Sequence, residues 1–138
     1  MVISQADWDA MIEHARDDAP NECVGYARLT DGRVDEVHRA KNLRASPYGY
    51  EIDPPSMLAA NELDTQSLFA ANDFDDEGYG VVVYHSHPRS PAEPSQTDIN
   101  LAFYPHWRYL IVSLAGEPHV RAWRIEDGSV SEEDIVVE

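Results

Sequence analysis

The sequence is short of lysine, of cysteine and of long apolar runs, and each shortage excludes something. Lys41 is the only lysine, and 10 basic residues face 26 acidic ones for a net charge of −16. A nucleic-acid partner requires a basic stripe along the phosphate backbone, so no nucleic acid is expected as a ligand. An acidic surface almost devoid of lysine reads as adaptation to a very salty cytoplasm. At molar salt the Debye length falls to about 3 Å, which screens the self-repulsion that would loosen such a fold in dilute buffer. The plainer alternative is an acidic protein kept soluble by its charge. Cys23, the single cysteine, cannot pair within the chain and suits a reducing compartment. No run approaches the roughly 18 apolar residues of a membrane span, and Met1 to Pro20 is acidic and amphipathic rather than a secretory leader. A cytoplasmic location without a membrane partner is expected. One domain, 1–138, is long enough to bury about two-thirds of its unfolded surface without a disulfide or structural metal.

What is present has clear periodicity. Ser4 and Asp7 form a capping-box-like start, and Trp8, Met11, Ile12 and Ala15 follow at the spacing of one apolar helix face, stopped by Pro20. Cys23–Leu29 and Val34–Ala40 read as strands joined at Asp31-Gly32, a hairpin turn signal. Residues 42–49 read as a loop, Tyr50–Asp53 as a short strand, and Asp53-Pro54-Pro55 as the start of a second helix running to about Asn72. An acidic loop, Asp73–Gly78, precedes the near-continuous apolar strand Tyr79–His85, as expected of a central strand covered on both faces. A short helix is predicted from Ser95, strands over Tyr109–Leu114 and His119–Ile125, and an edge strand within Val130–Glu138. This order predicts an α/β fold, a mixed central β-sheet flanked by helices.

The chemistry gathers at the end of the central strand, in His85-Ser86-His87-Pro88. Residues i and i+2 of a strand share a face, so both imidazoles can reach one metal ion. Pro91 and Pro94 stiffen the loop that follows, and Ser95 and Asp98 lie three apart, on one face of a helix. That spacing lets Asp98 serve as a third ligand while Ser95 points at the same cavity. Each part has an ordinary structural explanation too: Ser95-x-x-Asp98 is also a capping box, and a lone His-x-His is commonly structural. Together, two neutral imidazoles and one carboxylate leave a Zn²⁺ site with net positive charge, which draws the pKa of bound water towards about 7. Such a site needs a base that is not a ligand. Glu22, in Asn21-Glu22-Cys23-Val24-Gly25, is the candidate, although position alone does not distinguish it from the chain's many other acids.

Glu22 in a Glu-x-x-Gly setting, followed by His85-x-His87-Pro88-x6-Ser95-x2-Asp98, resembles the complete JAMM (MPN+) metalloprotease signature. The resemblance spans most of the chain, and acidic composition with small size brings it nearest to the haloarchaeal desampylases. It implies a JAMM/MPN, cytidine-deaminase-like architecture and a zinc isopeptidase acting on ubiquitin-like modifier proteins and their conjugates, after a C-terminal Gly-Gly. By the same resemblance, His85, His87 and Asp98 hold zinc, Glu22 activates water and passes its proton to the leaving amine, and Ser95 donates to the oxyanion. The short Asp98-to-Tyr109 interval leaves no room for the long insertion of some eukaryotic relatives, which favours a broad substrate range. Arg89 is a candidate contact for the modifier, or else a solvated loop arginine.

Two other classes of function stand beside this one: a non-catalytic MPN scaffold subunit, and a zinc amide hydrolase acting on a sulfur-carrier precursor or a small molecule. A thiol protease built on Cys23 lacks a spaced partner, and Cys23 sits in an apolar strand pattern. The acidic loop lacks EF-hand spacing for calcium. His14, His38, His106 and His119 read as surface or structural, and Trp107, Tyr109 and Trp123 as core. The composition makes a direct prediction: thermal stability and activity rise together with salt, and an unfolding temperature in low-salt buffer that does not change at molar salt would refute it.

Overall fold

The computed structural model describes residues 1–42 and 63–138. Helix α1 (Gln5–Asp18) begins where its cap predicts, with the Asp7 backbone N–H donating to Ser4 Oγ at 3.0 Å. It buries Met11, Ile12 and Ala15 and stops before Pro20, as the apolar spacing requires. Strands β2 (Val24–Thr30) and β3 (Arg33–Ala40) form the predicted hairpin. Asp31 (φ 50°) and Gly32 (φ 79°) are both left-handed, the conformation that a two-residue turn needs to match strand twist.

Strand β4 (Gly80–His87) is the centre of the molecule, antiparallel to β2 and parallel to β5 (Arg108–Ser113). Its side chains alternate between two cores. Val82 and Tyr84 join Met11, Ile12, Ala15 and Cys23 beneath α1. Val81 and Val83 join Val24, Ala71, Trp107, Ile111 and Trp123 on the other face, beneath α2 (Thr65–Asp76). The strand therefore has water on neither side, which explains its unbroken apolar pattern. It also runs further than expected, carrying both His85 and His87 within the ladder. A five-residue helix, α3 (Gln96–Asn100), follows, and β6 (His119–Glu126) extends the sheet beyond β5. The mixed sheet flanked by helices is as the sequence predicts.

Several elements differ from expectation. The predicted strand Tyr50–Asp53 and the predicted start of the second helix at Asp53 lie outside the described residues. Among the described ones, α2 starts at Thr65, because Asp64 caps it by accepting the Ser67 N–H (3.3 Å) and hydroxyl (2.6 Å). The helix then runs to Asp76 and takes in much of the expected acidic loop. Acidic residues are unfavourable at a helix C-terminus, but Phe74 packs against Tyr26 and His38 and holds the last turn down. Gly78 (φ 92°) closes it: its N–H donates to Asp75 O and that of Tyr79 to Phe74 O, a Schellman ending.

The tail forms two strands rather than one, β7 (Ser129–Glu133) and β8 (Val136–Val137), at opposite edges of the eight-stranded order β7-β6-β5-β4-β2-β3-β1-β8. Only Asp134 and Ile135 separate them, so the sheet must curl until its edges are neighbours. The unpredicted β1 (Val2–Ile3) sits between β3 and β8, and the Met1 amino group donates to Asp134 O at 3.0 Å across the closure. No helix among the described residues is long and apolar enough to cross a membrane.

Gly25 lies opposite Tyr84, and a Cβ added there would collide with the edge of the tyrosine ring and its hydroxyl. Gly25→Ala is therefore expected to destabilise the fold by about 1–3 kcal/mol through overpacking. A urea titration with a wild-type midpoint would refute this account of the glycine.

Candidate metal centre

His85 and His87 project from the final turns of the β4 pleat on the face of Val81 and Val83, and both are almost fully buried. Asp98, in the first turn of α3, meets them. His85 Nε2 stands 3.1 Å from Asp98 Oδ1, His87 Nε2 stands 3.0 Å from Asp98 Oδ2, and the two Nε2 atoms are 3.3 Å apart. A tetrahedral ion with bonds of about 2.0–2.1 Å separates its ligand atoms by about 3.3–3.4 Å. The triangle is thus within a few tenths of an ångström of the size such an ion requires. It is also the group among the described residues in which three histidine, cysteine or acidic side chains bring ligand atoms this close.

The orientation of these candidate ligands is fixed from behind. His87 Nδ1 lies 2.8 Å from the Pro91 carbonyl, so it carries a proton and donates, which leaves Nε2 as the ring nitrogen that faces Asp98. Ser95 and Asp98 form a full capping box: the Asp98 N–H donates to Ser95 Oγ (3.1 Å) and the Ser95 N–H to Asp98 Oδ2 (2.9 Å). Capping and metal binding are therefore compatible explanations, because one carboxylate closes the helix and faces both imidazoles. Burial opposes ionisation of Asp98, but the charge of His85 and hydrogen bonds from both rings outweigh it and hold the carboxyl well below the usual carboxylate range. A partly buried carboxylate kept ionised beside two imidazoles is a strong donor set for a divalent cation.

Glu22 comes to this face by register. Val24 pairs with His85, and the Ser86 N–H donates to Cys23 O at 3.1 Å, so one further step sets Glu22 opposite His87. Directly opposed residues of an antiparallel pair share a face. Glu22 is buried, unlike most acids of this chain. Ser95 and Arg89 are exposed, Ser95 at the mouth of α3 and Arg89 just past Pro88.

Residues outside this group take other duties. Cys23 points to the α1 side of the sheet, fully buried, and burial pushes its thiol up to about 12, which removes it as a nucleophile. His14 is structural: its Nδ1 pairs with the Tyr84 hydroxyl at 2.7 Å beneath α1. His38 stacks on Tyr26, and His106 lies 2.7 Å from Asp75, in the last turn of α2. Trp107, Tyr109 and Trp123 are core, as expected.

The way the Pro-studded loop is held is not legible in the sequence. Three successive carbonyls are pinned by side chains from three strands: Ser113 Oγ donates to Ser90 O (2.7 Å), His87 to Pro91 O, and Trp123 Nε1 to Ala92 O (2.9 Å). Nothing in the local pattern of Ser113 or Trp123 marks them for this, since both occupy ordinary inward strand positions.

Comparison with known proteins agrees with this arrangement. A family model of prokaryotic homologues of the JAB domain matches residues 4–126. A CysO-cysteine peptidase of Mycobacterium tuberculosis is 36% identical over 134 residues, covering 94% of this chain and 85% of that protein. A desampylase of Haloferax volcanii is 34% identical over 122 residues, covering 83% and 81% respectively. The crystal structure of a JAB1/MPN domain protein from Archaeoglobus fulgidus superposes with a TM-score of 0.61 at 18% identity, over 100% of this chain and 97% of that one, a likeness of fold. With the curled mixed sheet, the His-His-Asp group and relatives named as peptidases, the chain belongs to the prokaryotic JAB branch of the JAMM/MPN family and is a hydrolytic enzyme of the metalloprotease type.

Proposed function

We propose that this chain is a zinc-dependent isopeptidase, a single domain over 1–138, that removes ubiquitin-like modifiers from lysine side chains or C-terminal fusions after Gly-Gly, in a salt-rich archaeal cytoplasm. The observation that carries this reading is the ligand triangle of His85, His87 and Asp98, sized for a tetrahedral ion, with buried Glu22 across the strand pair. Bound there, zinc supplies Lewis acidity, polarising the scissile carbonyl and making water acidic enough to react near neutral pH.

The protein's own groups do the rest. Glu22 takes the proton of the attacking water and delivers it to the departing amine, a role suited to a carboxylate that is near the ligands without being one. The Ser95 hydroxyl oxygen accepts the Asp98 N–H, which leaves its hydrogen to donate to the oxyanion of the tetrahedral intermediate. His87, locked by the Pro91 carbonyl, and Asp98, locked by the capping box, keep their ligand atoms in place without reorganisation. The substrate tail lies extended across the site and is read through its main chain, with Arg89 touching the modifier beside the loop.

The names of the relatives, a desampylase and a CysO-cysteine peptidase, support hydrolysis of an amide at a modifier terminus. The latter favours a second substrate for the same chemistry, in which the leaving amine belongs to a small molecule such as cysteine instead of a target lysine. A scaffold subunit would have no use for a buried acid opposite the ligands.

The decisive test is cleavage of a modifier joined to lysine through Gly-Gly at molar salt, with chelator and with zinc added back. Activity is expected to stop and return; no cleavage by zinc-loaded protein would shift the reading to the small amide or the scaffold. Glu22→Ala should keep zinc and lose about 10²–10⁴-fold in turnover, while His85→Ala or Asp98→Ala should lose both. Ser95→Ala should retain zinc and fall about 10²–10³-fold; zinc loss there would make Ser95 a support of the ligand shell instead.

A further inference from the structure

Glu22 sits outside the regular ladder, since the β2–β4 pairing ends at Val24 and His85. A base at a strand end is prone to fray, yet the peptide group that follows it is gripped at both polar atoms. The carbonyl of Glu22 accepts from Asn42 Nδ2 at 2.6 Å, and the N–H of Cys23 donates to Ser86 Oγ at 2.8 Å. These two atoms belong to one planar, rigid unit, so bonds at its opposite ends fix its plane and with it the Cα of Glu22. The grips come from different elements: Asn42 lies just beyond β3, and Ser86 lies in β4 between the two histidines. Ser86 is fully buried and faces away from them, as strand alternation dictates. In a regular pair the Cys23 N–H would go to the Ser86 carbonyl; here it goes to the hydroxyl, where the strands begin to part.

We propose that Ser86 and Asn42 form a clamp on the Glu22–Cys23 peptide and act as positioning residues, setting the place of the Glu22 carboxylate relative to His85, His87 and Asp98. The proposal rests on the reading of Glu22 as the base. Because Ser86 shares its strand with two ligands, a shift of the ligands carries the base along. Proton transfer requires heavy atoms within about 2.6–3.2 Å, and a misplacement of about 1 Å costs on the order of 100-fold in rate. The clamp thus bears on turnover, not on metal or substrate affinity.

The test compares Ser86→Ala, Ser86→Thr, Asn42→Ala and the double variant Ser86→Ala/Asn42→Ala in the zinc-loaded full chain, well below the unfolding temperature. Ser86→Ala and Asn42→Ala should each lower kcat by about 10–100-fold with KM nearly unchanged and zinc retained at the wild-type ratio. Ser86→Thr keeps the hydroxyl and should restore kcat. The double variant should be little worse than the poorer single one, because both act through one peptide. Amide exchange of Cys23, followed by NMR without substrate, should accelerate in Ser86→Ala and stay protected in Ser86→Thr. Full kcat in Ser86→Ala, or kcat lost only in step with zinc, would overturn the clamp, since a merely structural serine lowers the unfolding temperature without moving kcat. Failure of the underlying reading looks different: an active Glu22→Ala would remove the base, and the clamp with it, whatever Ser86→Ala does.

Discussion

The register of β2 against β4 is the constraint on which the rest of the site depends. Side-chain direction in a strand has a period of two, so a slip by one residue would turn Glu22 to the α1 side and bring Cys23 to the histidine face. Both faces of β4 are buried, and the two cores accept different shapes. Tyr84 fixes the choice on one side: its ring lies over Gly25, where no other residue leaves room, and its hydroxyl pairs with His14 of α1. Val81 and Val83 fix it on the other, among Val24, Ile111 and Trp107. The glycine of the Glu-x-x-Gly pattern is therefore explained by packing behind the site, three residues from the acid it accompanies.

From that register, the candidate ligand set is assembled by economical reuse of backbone bonds. Asp98 satisfies the Ser95 N–H at a helix start and faces the imidazoles with the same carboxylate. His87 anchors the loop through Nδ1 while Nε2 faces Asp98. The loop carbonyls of Ser90, Pro91 and Ala92 are each claimed by a side chain from a different strand, so the path from β4 to α3 has little freedom left. Preorganisation of this kind matters because a site held in place reorganises little when charge develops during reaction.

Local patterns in the sequence carried much of this. The α1 face, the Asp31-Gly32 turn and the Ser95 cap rest on contacts within a few residues, the doubly covered strand shows as an unbroken apolar run, and all four appear in the structure. The misreadings share a cause. β1 has two residues and no periodicity, and exists only through pairing with distant β3 and β8. The acids at the end of α2 read as loop because Phe74's partners, Tyr26 and His38, are remote in sequence. The clamp on Glu22 and the pinning of the loop by Ser113 and Trp123 are likewise long-range, and a serine or tryptophan at an inward strand position carries no sign of such a bond. The signature residues stood out as a pattern, whereas the side chains that hold them did not.

Charge completes the argument. A protein of net charge −16 attracts cations at long range in dilute buffer, but at molar ionic strength that field is screened beyond about 3 Å. What survives is contact-range chemistry. The His-His-Asp distances of 3.0–3.3 Å are at that range and lie in a largely buried site, where salt screens least. The sheet edges are held by contacts of the same reach, such as Arg108 to Glu133 at 2.6 Å and the paired bonds from Arg121 to Glu132 at 2.8 and 2.9 Å. Salt thus removes the repulsion spread over the surface more fully than it removes the attraction concentrated at the site. An acidic exterior and an interior group able to hold a cation are compatible for that reason: one acts through the solvent, and the other through direct contact inside the protein.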